Sequence, residues 1–367
     1  FSLLAQGIGG ATGIRGSGQC PAQNTAPRPV GARCVRNPAP PTPVLRATAT
    51  APADTLGRMI RTPEPAETAA LFAALTSWYD HNGRDVPMRA DGVTPWGTLV
   101  FEVMSQQTPL VRVAPVWLRW MALWPTPADL AGAPTADVLV EWSTLGYPSR
   151  ALRLQQCATR IRDAHGGAVP TDHAQLLDLP GVGGYTAAAL ASFQFHQRIA
   201  VLDVNIRRVA SRVFDGIELP ASSAPTKAER ERAEAVLPED GHECAAWNLA
   251  LMEFGALVCT QRSPDCPACP IRERCRWAGR GYPRAAKRPK TQQWRGTDRQ
   301  ARGRVLAALR AAHSTAPRGR AGISRAEALR AATLPGAEEG QAQRALASLI
   351  ADRLVAYDEA SSRITLP

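Results

Sequence analysis

Long apolar runs are missing from this 367-residue chain, and none approaches the roughly 20 residues that a membrane-spanning helix requires. Cysteine is scarce outside one place. Thiols lie at 20, 34, 157, 244, 259, 266, 269 and 275, and only the last four are clustered. Such uneven supply in a long chain excludes a secreted disulfide framework and fits a reducing, intracellular setting. Alternating apolar and polar stretches of strand length are absent between residues 62 and 278, which excludes a β-rich body. Apolar periodicity fails altogether from residue 1 to residue 61, where Pro, Ala, Gly, Thr and Arg dominate. That stretch cannot bury enough surface to offset its ordering entropy and is expected to be a disordered, low-complexity extension. Its GIGGATGIRGSG segment has no preceding strand and no following GK[ST], which excludes a phosphate loop. The ordered protein is expected to start near Met59; a cleavable targeting peptide is the alternative, against which stands the missing amphipathic pattern. Acidic residues are outnumbered too. The formal charge of +11 points to a polyanionic partner, because each cation near a phosphate releases a condensed counterion.

What is present is helical. From residue 62 to residue 280 apolar residues recur at helical spacing, as in GTLVFEVMSQQ, VNIRRVASRVF and CAAWNLALMEFGALV, with Pro, Gly, Asp or Thr in the gaps. This predicts a domain of eight or so short helices. A basic linker follows over residues 281–300, with Asp298 as its acidic exception, and can act as a solvated tether or as an arm tracking a nucleic-acid backbone. Residues 301–367 carry three helical patterns and then an alternating pair, LVAYD and SRITL, which predicts a small winged-helix-like module.

Three constellations carry chemistry. Cys259, Cys266, Cys269 and Cys275 have the spacing C-x6-C-x2-C-x5-C, which can wrap a tetrahedral zinc or a cubane iron–sulfur cluster; spacing alone does not decide. The turn LPGVG begins at Leu179, and Gly181 and Gly183 allow positive φ and bare N–H groups aimed at a phosphate, although an ordinary helix–helix turn reads the same way. Glu102 sits among apolar neighbours in TLVFEVMSQQT. If buried, it keeps its proton near neutral pH; if it lies on an outer helix face, it is merely solvated. Asp203 and Asn205 lie where an apolar run meets a new helix, and each also reads as an N-cap.

Neighbouring words extend the reading. EVMSQQT resembles EVMLQQT, VLDVNIRRVASR resembles VLDxNVxRVxxR, and STLGYPSRALRLQ resembles LGYYxRxRxLQ. With LPGVG and the cysteines after MEFGALVC, they resemble, from about Ala66 to Ala278, the adenine DNA glycosylases of the MutY type in the endonuclease III superfamily. The resemblance implies a mainly α, helix–hairpin–helix glycosylase fold with a structural [4Fe–4S] cluster on the loop 259–275, whose Arg262, Arg272, Arg274 and Arg276 face DNA. It implies Glu102 as general acid, Asp203 as the ionised partner, and Asn205 beside it. Gln107 and Tyr147 match wedge positions, Arg84 and Glu253 match positions near the base pocket, and Leu179, Gly181, Gly183 and Tyr185 belong to the hairpin. Met88 stands where the family usually has Trp, Ser105 where it has Leu, and Gly184 where it has Arg. Tyr185 stands where the lyase branch has a Lys, which implies a monofunctional enzyme. The tail lacks the pattern of the Nudix-like domain that reads 8-oxoguanine in many members and resembles the short tail of actinobacterial ones. The implied substrate is double-stranded DNA with adenine opposite 8-oxoguanine or guanine, acted on by a monomer at the bacterial nucleoid in the cytoplasm. Two rivals are a bifunctional glycosylase/lyase on oxidised pyrimidines and a DNA-binding iron–sulfur redox sensor without catalysis.

Overall fold

The computed structural model describes residues 63–286, 294–315, 321–359 and 362–367. The expected disordered extension, residues 1–61, lies outside the described residues, as does the middle of the basic linker.

The first helix, α1 (Pro65–Asn82), leads to α2 (Pro95–Ser105). Thr94 caps α2 by accepting a hydrogen bond from Gly97 N, and Pro95 follows at the first turn, where its missing N–H costs nothing. From Trp96 to Met104 every residue of α2 is buried, so the helix runs through the interior and carries Glu102 with it. Around it stand α3 (Leu110–Leu123), α4 (Pro127–Gly132), α5 (Thr135–Glu141), α6 (Ser149–Ala164) and α7 (His173–Leu177). Then come α8 (Gly184–Phe193), α9 (Val204–Ala210), α10 (Lys227–Ala235), α11 (Gly241–Leu257) and the short α12 (Arg276–Gly279) after the cysteine loop. Of these helices, α4, α7, α10 and α12 escape the sequence reading. Three are six residues or shorter, and α10, KAERERAEA, has no apolar stripe and is defined instead by the Thr226–Glu229 capping box.

Two apolar cores result. One gathers the side chains of α2, α3, α5 and α6; the other gathers those of α1, α9 and α11. Helix α8 belongs to both, giving Ala187, Leu190 and Ala191 to the first and Ala188 and Ala189 to the second. Residues at the near end of α8 therefore face the junction of the two cores.

The C-terminal residues form α13 (Asp298–Thr315), β1 (Ile323–Ser324), α14 (Arg325–Ala332), α15 (Gln341–Ala351), β2 (Ala356–Asp358) and β3 (Arg363–Thr365). All three strands pair antiparallel in the order β1-β3-β2, with Ile364 opposite both Ile323 and Tyr357. The expected hairpin is present, and β1 is an addition too short to register as alternation. Its buried residues join the first core, and α13 packs on α5. Among the described residues no helix is long and apolar enough to cross a membrane.

Candidate active site

Glu102 comes from α2 in the first core, and Asp203 from the start of α9 in the second. Glu102 is 3% exposed, which settles the sequence ambiguity in favour of burial. Burial pushes its carboxyl up to about 7, with a hydrogen bond from Tyr185 and the charge of Arg89 working against the rise and the charge of Asp203 adding to it. The two carboxyls are thus close enough to feel one another. Asp203 is half-buried and also caps α9, its Oδ1 accepting from Ile206 N at 2.6 Å. Its Oδ2 accepts from Asn205 Nδ2 at 2.7 Å. Burial raises Asp203 above the ordinary carboxylate range, opposed by the bonds from Ile206 and Asn205 and by the charge of Arg208. Asp203 is therefore the N-cap of α9 through one oxygen and leaves the other to Asn205.

Tyr185, in the first turn of α8, completes this group. Its hydroxyl is 3.7 Å from Met252 Sδ and near enough to Glu102 to oppose the rise of that carboxyl, and burial with the charges of Glu102 and Asp203 drives its own pKa well above the ordinary value. The turn before it places Gly181 at φ +80°, where a Cβ would also meet Arg153 Cβ at 3.0 Å. Gly183 departs from expectation: its φ is −98°, and it serves as the N-cap of α8. A Cβ placed there would have nothing within 4 Å. Leu179 is buried in the first core.

Glu253 of α11 is fully buried. Arg84 donates from Nε to Oε1 at 2.5 Å and from Nη2 to Oε2 at 3.0 Å, and Arg89 Nη1 reaches Oε2 at 3.0 Å. Burial works to raise this carboxyl, but the bonds from Arg84 and the charge of Arg89 hold it below the usual range. Arg89 therefore ties the Glu253 network to Glu102. Met88, beside it, packs into the first core at 3% exposure.

Gln107 and Tyr147 both adopt positive φ, +55° and +46°, which non-glycine residues accept only where surroundings impose it. Arg150 imposes it. Its Nη1 donates to the carbonyls of Val103, Met104 and Gln106, and its Nη2 to Thr108 Oγ1 and the carbonyls of Leu145 and Gly146. One buried guanidinium thus joins the end of α2 to the Tyr147 turn, and burial pushes its pKa down to about 10.

The four clustered cysteines line one pocket with Arg212, Phe254, Val258, Ile271 and Trp277. Among the described residues no group of three or more His, Cys, Asp or Glu is set to hold a single metal ion; the thiols border a common space instead. Arg212, on a π-helical turn after α9, donates to Cys259 Sγ at 3.2 Å and to Thr260 O at 2.8 Å. Arg208 Nε donates to Cys259 O at 2.8 Å and its Nη2 to Asn205 Oδ1 at 2.8 Å. A chain of bonds therefore runs from Asp203 through Asn205 and Arg208 to the cysteine loop. Gly255 permits it, since a Cβ there would lie 2.8 Å from Asn205 Cβ. Arg262, Arg272 and Arg274 are exposed as expected, whereas Arg276 is turned inward to Phe214 O at 2.8 Å.

Residues 100–237 match the family described as HhH-GPD superfamily base excision DNA repair protein. The chain is 45% identical over 299 residues to adenine DNA glycosylase of Mycobacterium tuberculosis, covering 80% of this chain and 93% of that one. It belongs to the adenine DNA glycosylases. The Mycolicibacterium smegmatis adenine DNA glycosylase is 44% identical over 282 residues, 77% of this chain and 91% of its own. In structure, a thermostable thymine-DNA glycosylase superposes with a TM-score of 0.53 at 27% identity, over 59% of this chain and 98% of that one. As a member of the family the protein is an enzyme of base excision repair that removes adenine from DNA, which sets aside the non-catalytic sensor.

Within this glycosylase, Glu102, Asp203, Asn205 and Tyr185 come together, and Arg84 joins Glu253. Gln107 and Tyr147 lie on the two turns that Arg150 unites. Sequence reasoning missed Arg89, Arg150, Arg208 and Arg212 as organisers. Three of them lie inside the quoted words, as cations embedded in apolar helix patterns, and that embedding is the signal that marks them.

Proposed function

We propose that the protein hydrolyses the N-glycosidic bond of deoxyadenosine placed opposite 8-oxoguanine or guanine in duplex DNA and leaves an abasic site without cutting the strand. The single observation that carries this reading is the carboxyl pair: Glu102, lifted to about 7 by burial, beside Asp203, held by donors that favour its anion. Adenine leaves poorly as an anion, and the sugar it abandons develops positive charge. Glu102 protonates adenine N7 so the base departs nearly neutral. Asp203 meets the charge growing at C1′, which in turn favours its ionised form. Water completes the displacement, in the division of labour that glycosidases use. Gln107 and Tyr147 fill the space vacated when the target nucleotide leaves the stack, a step costing a few kcal/mol. Tyr185 offers a hydroxyl near Glu102 and no amine for a Schiff base.

The test is one duplex series, with adenine opposite 8-oxoguanine, guanine or thymine, assayed before and after alkali. Strand cleavage is expected only after alkali and only with the first two. Cleavage without alkali, together with borohydride trapping, overturns the monofunctional reading.

Cys259, Cys266, Cys269 and Cys275 suit a [4Fe–4S] cluster: four sulfur donors around one apolar-walled pocket, with Arg212 donating to Cys259 Sγ. Such a group supplies no bond-breaking step here; it fixes a loop whose exposed arginines face the DNA backbone. Cys269→Ser is expected to lose bound iron, lower the thermal midpoint and weaken duplex binding at least tenfold. Iron content, melting and anisotropy check this in turn. The glycosylase domain spans residues 62–280, a basic linker 281–300 and the winged-helix-like module 301–367, with α13 extending back to Asp298. The enzyme acts as a monomer on nucleoid DNA in the bacterial cytoplasm.

A further inference from the structure

Thr98, Glu102 and Ser105 follow one another along α2 at steps of four and three residues, so they share one face of the helix. Two of them meet α8. Thr98 Oγ1 accepts from Gln194 Nε2 at 2.7 Å at the C-terminal end of α8, and Glu102 lies near Tyr185 in its first turn. Ser105 stands about 4.5 Å further along the axis of α2, past the start of α8, where Gly183 and Gly184 are exposed. It therefore lies between the buried acid and the Gln107 turn.

The Ser105 hydroxyl is buried and has no hydrogen-bond partner among the described residues. A helical hydroxyl can turn back to the carbonyl four residues earlier, as Thr76, Thr159 and Ser314 do at 2.8, 3.0 and 3.0 Å. Ser105 does not. The backbone around it is meanwhile saturated: Arg150 takes the carbonyls of Val103, Met104 and Gln106, and Ser105 O accepts from Thr108 N at 3.1 Å. The hydroxyl left over at this end of α2 is thus one helical turn from Glu102. Burying it unpaired costs the folded protein, and a bound partner removes that cost. Ser105 is also where the chain departs from EVMLQQT, and a leucine there would carry no such group.

We propose that Ser105 Oγ contacts the extruded adenine, hydrogen-bonding N1, N3 or the N6 amino group while Glu102 addresses N7, and that it helps to select the base. The inference rests on the reading of Glu102 as the acid at N7. A hydroxyl suits any of these atoms, because it donates to a ring nitrogen and accepts from an amino group. A base without the partner atom leaves the buried hydroxyl unsatisfied again, so the contact rejects wrong bases more strongly than it attracts the right one.

The test compares single-turnover base release by the wild type, Ser105→Ala and Ser105→Thr on duplexes that carry adenine, purine, 1-deazaadenine or 3-deazaadenine opposite 8-oxoguanine. The three analogues lack the N6 amino group, N1 and N3 in turn. Ser105→Ala is expected to slow release of adenine about fivefold, the effect of losing one neutral hydrogen bond. On the analogue that lacks the partner atom, the Ala variant and the wild type should agree. Ser105→Thr keeps a hydroxyl and should keep the wild-type order of the four bases. Without DNA, the thermal midpoint of Ser105→Ala should equal or exceed that of the wild type, since the change deletes an unsatisfied group. Equal losses on all four duplexes, or no loss on adenine, overturns the proposal. Equal losses joined to a shifted pH profile would assign the hydroxyl to Glu102 instead, and equal losses joined to a lowered midpoint would reduce it to packing. Alkali-revealed adenine release by the wild type, and its loss in Glu102→Gln, read the underlying function separately, because the Ser105 comparison is made within each base.

Discussion

Glu102→Gln is expected to slow adenine release by about 10²–10⁴-fold, the range typical of a positioned general acid. Glutamine keeps the shape but has no proton to give. The same substitution should stabilise the fold above neutral pH, and the sign follows from burial. Glu102 has a folded pKa of about 7 against an ordinary 4.5, so the folded protein holds this proton more tightly than the unfolded chain does. Its contribution is present in full below the unfolded value and is lost as pH rises through about 7. Above that, the buried carboxylate costs about 3 kcal/mol relative to exposure. Gln avoids this, so the thermal midpoints of the two proteins should diverge from pH 5 to pH 8, with the variant higher. Wild-type kcat/KM should fall over the upper part of that window as the acid deprotonates. A variant that is both stabilised at pH 8 and inactive throughout ties stability and catalysis to one proton. A flat stability difference would place the acid elsewhere.

The helices that build this site were legible because their apolar stripes are long. The stripe of α2 surrounds Glu102 on every side, and α11 carries Glu253 into the second core with the same clarity. The cysteine loop was equally legible, since thiol spacing is local information. What the sequence hid was the wiring between elements. Nothing in EVMSQQT says that the carbonyls at its end will be gathered by Arg150, 46 residues beyond Met104. Nothing in RDVPMR says that Arg84 and Arg89 will close on one carboxylate from α11. Periodicity reports which face of a helix is buried; it is silent about which distant backbone a buried cation will satisfy. The Gly183 result has the same origin. A glycine-rich turn advertises conformational freedom, but only Gly181 uses it as positive φ.

Asp203→Asn carries the second large expectation: kcat lower by about 10²–10³-fold with duplex affinity retained or improved. The change removes the negative charge that stabilises the sugar while sparing the surfaces that bind phosphate. It also exposes how the site is held. In the native order Ile206 N donates to Oδ1 of Asp203, Asn205 Nδ2 donates to Oδ2, and Arg208 donates to Asn205 Oδ1 while gripping Cys259 O. Every link has a direction, and residue 203 must accept twice. An amide there can still cap α9, since Asn and Asp are comparable caps, but its NH2 then faces the NH2 of Asn205. Turning Asn205 over relieves that clash only by presenting its NH2 to Arg208. The frustrated bond costs about 1–3 kcal/mol, offset in part because a neutral side chain no longer resists burial. The expected stability change is therefore small beside the catalytic loss. Single-turnover rates, anisotropy and melting on one preparation separate these effects. Combining the substitution with Glu102→Gln should cost far less than the product of the two, because neither carboxyl is useful without the other. Fully multiplicative losses would mean that the two act on different steps, and the paired-carboxyl mechanism would fall with that result.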